Sequence, residues 1–106
     1  MRLVFTDDDK GVLGVEATDV WLVSSRKPNG EKAANYTTIE IARTETGYVV
    51  AKESRYQGGP VRRMWKHLGG AANVRRFLGD GSLSRQALHK AGLLPDQVAG
   101  VSAASR

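Results

Sequence analysis

Arg62, Arg63 and Lys66, then Arg75 and Arg76, then Arg85 and Lys90 follow one another with a single carboxylate, Asp80, among them. Arginine carries a planar fork of donors that matches phosphate oxygens or a guanine edge, and lysine adds a mobile point charge. The chemistry these residues suggest is electrostatic recognition of a phosphate backbone or of an acidic protein surface. Gln86 and His89 stand beside Arg85 and Lys90 and add donors and acceptors able to read base edges. An ordinary solvated surface usually mixes charge signs, and this stretch does not.

Catalysis finds less support. His67 and His89 are the only histidines, and neither has a carboxylate near it in sequence to orient it as a general base. Two histidines alone leave a metal short of protein ligands. Gly58-Gly59 and Gly69-Gly70 lack the Gly-Lys-Ser/Thr that completes a phosphate loop. Asp7-Asp8-Asp9 fits no calcium-loop spacing and reads as a solvated turn, with an acidic decoy for a basic partner as the alternative. The expectation is a non-enzymatic protein with no cofactor and no metal. A small metal-independent ribonuclease built from Arg62, Arg63, His67 and Tyr56 is the remote alternative.

The elements that must position the cations are read from periodicity. Pro60 suits the first position of a helix, and Val61, Met64, Trp65 and Leu68 recur at helical spacing up to Gly69-Gly70. That places Arg62, Arg63 and Lys66 on the polar side of a first helix. Ala71, Val74, Phe77 and Leu78 predict a second helix stopped by Gly79, with Arg75 and Arg76 on its polar side. Leu83, Ala87, Leu88 and Ala91 predict a third, capped by Ser82 or Ser84 and ended by Gly92. A last turn is expected from Pro95, and a frayed tail from Val101 to Arg106.

Within this half, Leu83 to Lys90, preceded by a helix and the Asp80-Gly81 turn, resembles the recognition helix of small helix-turn-helix regulators and antitoxins. The likeness covers Ala71 to Ala91. It implies that Ser84, Arg85, Gln86 and His89 face the major groove. Arg75 departs from the small residue such motifs usually carry, and Arg85 falls near an expected apolar position. A plain helical hairpin accounts for the same pattern.

The front half reads as strands. Arg2–Thr6 and Val12–Glu16 flank an Asp-rich turn ending in Gly11, and Asp19–Ser25 is rich in β-branched and aromatic residues. Pro28-Asn29-Gly30 is a strong turn signal. Asn35–Thr44 alternates Thr37, Ile39 and Ile41 with polar neighbours, and Tyr48–Glu53 returns after Glu45-Thr46-Gly47. Trp21 and Trp65 read as core, while Tyr48 and Tyr56 are less constrained.

These elements predict an α+β fold: an N-terminal antiparallel β-sheet of four to five strands, followed by three short helices packed on one face. The 106 residues suit a single domain, strand-rich and acidic over 1–56 and helix-rich and basic over 57–106. Residues 1–54 hold seven Lys/Arg and nine Asp/Glu, and residues 55–106 hold nine and two. The absence of cysteine excludes a disulfide scaffold, a thiolate zinc site and a cysteine nucleophile. No apolar run approaches the ~20 residues of a membrane span, and the first residues do not form a signal-peptide core, so a soluble cytoplasmic protein is expected.

The function expected from sequence is therefore nucleic-acid binding, DNA or RNA, through Arg62, Arg63, Lys66, Arg75, Arg76, Arg85, Gln86, His89 and Lys90. A protein–protein module meeting an acidic surface, such as a phage-type inhibitor or a toxin–antitoxin component, is the alternative. A homodimer through an exposed strand edge or the helical face is compatible with either.

Overall fold

The structure is a computed structural model that describes residues 1–25 and 35–95. Among these residues the order is β1 (Arg2–Asp7), β2 (Gly11–Glu16), β3 (Asp19–Ser24), β4 (Tyr36–Thr44), β5 (Gly47–Arg55), β6 (Arg62–Leu68), α1 (Ala71–Leu78) and α2 (Ser82–Lys90). The class is α+β with antiparallel sheets. Two expectations are corrected. The strands form a two-stranded ribbon, β1-β2, and a separate four-stranded sheet, β3-β4-β5-β6. Among the described residues there are two helices, not three. The turn expected at Pro28-Asn29-Gly30 and the chain after Pro95 lie outside the described residues.

The segment expected to be the first helix is strand β6, paired along its length with β5 from Ser54↔Arg62 to Tyr48↔Leu68. The reason is that the sheet is covered on both faces. Met64 and Leu68 point to the helix side while Trp65 points to the ribbon side, so apolar residues fall on both faces of one strand. That distribution imitates a helical stripe over a stretch too short to separate the two periods.

Alternation along the strands builds two cores. On one face Ile39, Ile41 and Val50 pack with Val74 and Leu78 of α1 and Ala87 and Leu88 of α2. Helix α1 lies over β5 and β6, and α2 over β3 and β4. On the other face Ala42 and Val49 meet Phe5 of the ribbon, with Leu13, Val15 and Trp65 around them.

Helix α1 is bounded by Gly70 and Gly79, and the positive φ of Gly79 (76°) ends it. After α2, Gly92 (φ 72°) donates its N–H to His89 O at 3.0 Å, and Leu93 donates to Leu88 O at 2.8 Å. This pair of bonds is the Schellman stop, and both Leu88 and Leu93 are in the core. Neither candidate serine caps α2. Its N-cap is Gly81, and Ser84 lies inside the helix with its Oγ donating to Leu78 O at 2.9 Å.

The Asp-rich turn docks on β6. Asp7 is 7 % exposed. Its Oδ1 accepts from the N–H groups of Asp9 (2.7 Å) and Lys10 (2.8 Å), and its Oδ2 accepts from Trp65 N–H (3.3 Å). The Lys10 ammonium donates to the Trp65 carbonyl and lies 4.1 Å from the Trp65 ring centroid, and Trp65 Nε1 donates to Gly11 O at 3.0 Å. The Lys10 N–H does most to hold the Asp7 carboxyl below the usual carboxylate range; burial opposes it, and the Asp9 and Trp65 N–H groups add to it. The expected solvated turn is thus, at Asp7, a buried structural clamp.

Candidate functional site

Strand alternation sorts the cations between the two layers. Lys52 of β5 and Arg62, Met64 and Lys66 of β6 share the face that carries the helices, because Lys52 pairs with Met64 and Val50 with Lys66. Arg63 falls on the opposite face. There its Nε donates to Glu53 Oε1 at 2.9 Å. The polar side expected to hold Arg62, Arg63 and Lys66 together is therefore split, since neighbours in a strand face opposite ways.

The helix layer gathers the rest. Phe77 of α1 has two ammonium groups near its ring, with Lys52 Nζ 5.2 Å and Lys66 Nζ 5.8 Å from the centroid. This is cation–π range. Arg76 and Arg85 are exposed and make no ion pair or side-chain hydrogen bond among the described residues, and the same holds for Arg62. Arg75 is partly spent on structure: its Nη1 donates to Leu93 O at 3.0 Å. Arg75, Arg76 and Arg85 line a groove of about 320 Å³ with Asp80, Leu88 and Leu94. Lys90 reaches the edge of β3, donating to Leu22 O at 2.9 Å. Gln86 and His89 are exposed on α2.

Ser84, expected in the major groove on the helix-turn-helix likeness, is buried and bonded to Leu78 O, so it is unavailable for contact. Each helix packs chiefly on the sheet rather than on the other helix. His67 is bonded to Thr46 Oγ1 at 3.1 Å, five strand positions from Arg62 and on the other face, and Tyr56 is 74 % exposed beyond β5. The fold does not bring the suggested ribonuclease residues together.

Lys52 is the residue that sequence reading missed. It comes from the acidic half of the chain, and only its register places it beside Lys66 and Phe77. The signal lies in the alternation Val50, Lys52, Ser54, all on the helix face. The ribbon layer has the opposite character. Asp7, Asp8, Asp9, Glu16, Glu40 and Glu53 lie on it or on its face of the sheet, with Arg2, Lys10 and Arg63 as ion-pair partners for some of them. Burial pushes the half-buried Glu40 carboxyl up from its ordinary value.

No protein-family model, curated protein or solved structure matches the chain. Among the described residues no helix is long and apolar enough to cross a membrane.

Proposed function

We propose that this protein is a non-catalytic binding module whose helix layer engages the phosphate backbone of a nucleic acid. The observation that carries the reading is the segregation of charge. Lys52, Arg62, Lys66, Arg76 and Arg85 project from one layer without carboxylate partners, while most of the described carboxylates belong to the other. Lysine and arginine so arranged neutralise phosphates and release counterions. Phe77 draws the ammonium groups of Lys52 and Lys66 to one spot on this layer, where they can meet neighbouring phosphates. Arg85 and Gln86 are exposed on α2 with His89 beside them, and their donors and acceptors suit base edges.

The test is a binding titration of the purified protein against mixed-sequence duplex DNA and single-stranded RNA at increasing salt. Affinity that falls log-linearly with salt supports the reading, and the slope counts the phosphates contacted. No binding at low salt refutes it and favours the alternative, an acidic protein surface.

A further inference from the structure

The ribbon covers only part of the second face of the sheet. At one end β1 is tied to β6: Asp8 N–H donates to Arg63 O at 3.0 Å, and Asp8 Oδ2 accepts from Arg63 N–H at 3.0 Å. Phe5 then seats β1 over Ala42 and Val49. Met1 and Ala17 exchange backbone hydrogen bonds of 2.7 and 2.8 Å. By antiparallel alternation the next hydrogen-bonded pairs are Leu3–Val15, Phe5–Leu13 and Asp7–Gly11. The N–H and C=O groups of Val4 and Thr6 therefore point away from β2, and among the described residues no other strand pairs with them.

This open edge borders a cleft of about 230 Å³ whose opposite wall includes Thr38, Glu40, Glu53 and Arg63. Within that wall Glu53 is fully engaged, one oxygen by Arg63 Nε and the other by the Tyr36 hydroxyl, each at 2.9 Å. Glu40 is half-buried and has no hydrogen-bond or ion-pair partner among the described residues. Val4 is 66 % exposed on the outer side of β1.

We propose that this cleft receives an extended segment of a partner protein, added as a third strand on β1, with a lysine or arginine of that segment placed over Glu40. Strand addition takes its affinity from main-chain bonds and its selectivity from alternate side chains. The open edge from Arg2 to Thr6 runs about 14 Å, room for about five residues. On the added strand, residues facing the sheet meet Glu40 and Thr38, and residues facing solvent lie beside Val4. The segment that fits alternates Lys or Arg with Val, Ile or Thr. Its charge complements the acidic ribbon layer; of the cations of the nucleic-acid face only Lys52 reaches the cleft lining, so the site is carried by the β1 edge and Glu40 and does not rest on the nucleic-acid reading.

The test is an NMR titration of the ¹⁵N-labelled full chain with the end-blocked hexapeptide Thr-Lys-Val-Lys-Val-Thr. The expected result is movement of the Val4 and Thr6 amide signals together with their protection from exchange. Glu40→Gln should weaken binding about fivefold or more while the protein stays folded, because burial already disfavours that charge. A version of the peptide N-methylated at alternate amides keeps the charge and loses the pairing, and it should not bind. The proposal is overturned if the hexapeptide does not bind, if the methylated peptide binds equally, if Glu40→Gln binds unchanged, or if the shifts fall on the helix layer.

Discussion

Replacing Arg76 and Arg85 together with glutamine should reduce the salt sensitivity of nucleic-acid binding and leave the fold intact. Among the described residues five cations of the helix layer have neither an ion pair nor a side-chain hydrogen bond, Lys52, Arg62, Lys66, Arg76 and Arg85, whereas Arg75 and Lys90 are bonded to backbone carbonyls. On a single strand each neutralised phosphate contributes about 0.7 to the log–log slope of affinity against salt, so five give about −3.5. Raising salt fourfold, from about 50 to 200 mM, then weakens wild-type binding roughly 100-fold. Without two of the cations the slope is about −2.1, and the same step costs roughly 20-fold. Fluorescence anisotropy of a labelled oligonucleotide measures both slopes. Both arginines are exposed, so stability should change by no more than about 0.5 kcal/mol. Arg2→Gln, on the ribbon, is the matched control and should leave the slope unchanged. A double variant with the wild-type slope, or one that melts several degrees lower, would refute the reasoning.

Other outcomes follow from the packing. Ser84→Ala removes the bond to the Leu78 carbonyl and should cost about 1 kcal/mol in chemical denaturation with nucleic-acid affinity unchanged; the reverse pattern would make Ser84 a contact residue. Gly47→Ala forces a side chain into a positive-φ position against the Leu68 carbonyl, so stability should fall by more than about 1 kcal/mol and the melting temperature by at least about 4 °C. Leu88→Ala, in the helix-face core, should cost about 2–5 kcal/mol, and a smaller loss would mean the site collapses around the cavity. The folded-state pKa of Asp7 lies below its unfolded value, so its ionised form stabilises the fold above about pH 4, and that contribution fades as pH falls through the lowered pKa. Asp7→Asn should flatten the acid limb of a stability-against-pH curve, and an unchanged limb would contradict the clamp.

Much of the fold was legible where local chemistry decides it. The β1-β2 ribbon follows from the Asp turn and Gly11, and β4-β5 from strict alternation and Gly47. Helix α1 ends at Gly79 and α2 at Gly92, as their glycines predict. The failures have one origin. The pattern from Val61 to Leu68 predicts a helix because the apolar residues of this segment serve two cores at once, a condition that exists only with the ribbon folded over the sheet. A serine near a helix start usually serves as a cap or a contact, and only packing turns Ser84 inward.

The candidate site divides in the same way. The apolar stripes of short amphipathic helices predict polar sides for Arg76, Arg85 and Gln86, and all three are exposed on the helix layer. Arg63 was lost to the other layer and Lys52 was gained from the other half of the chain, because a strand turns each successive side chain over and its register is set by its neighbours.

Local pattern alone dictates the glycine-marked turns and helix ends and the alternating strands, and composition dictates the lack of thiol chemistry and the surplus of cations after residue 54. The tertiary structure decided which cations share a surface. An unequal charge along the chain became a basic layer and an acidic layer when the ribbon crossed one face of the sheet and the helices the other. The register of β6 on β5, and the bonds between Asp8 and Arg63 far apart in the chain, made that division, and neither leaves a local pattern to read.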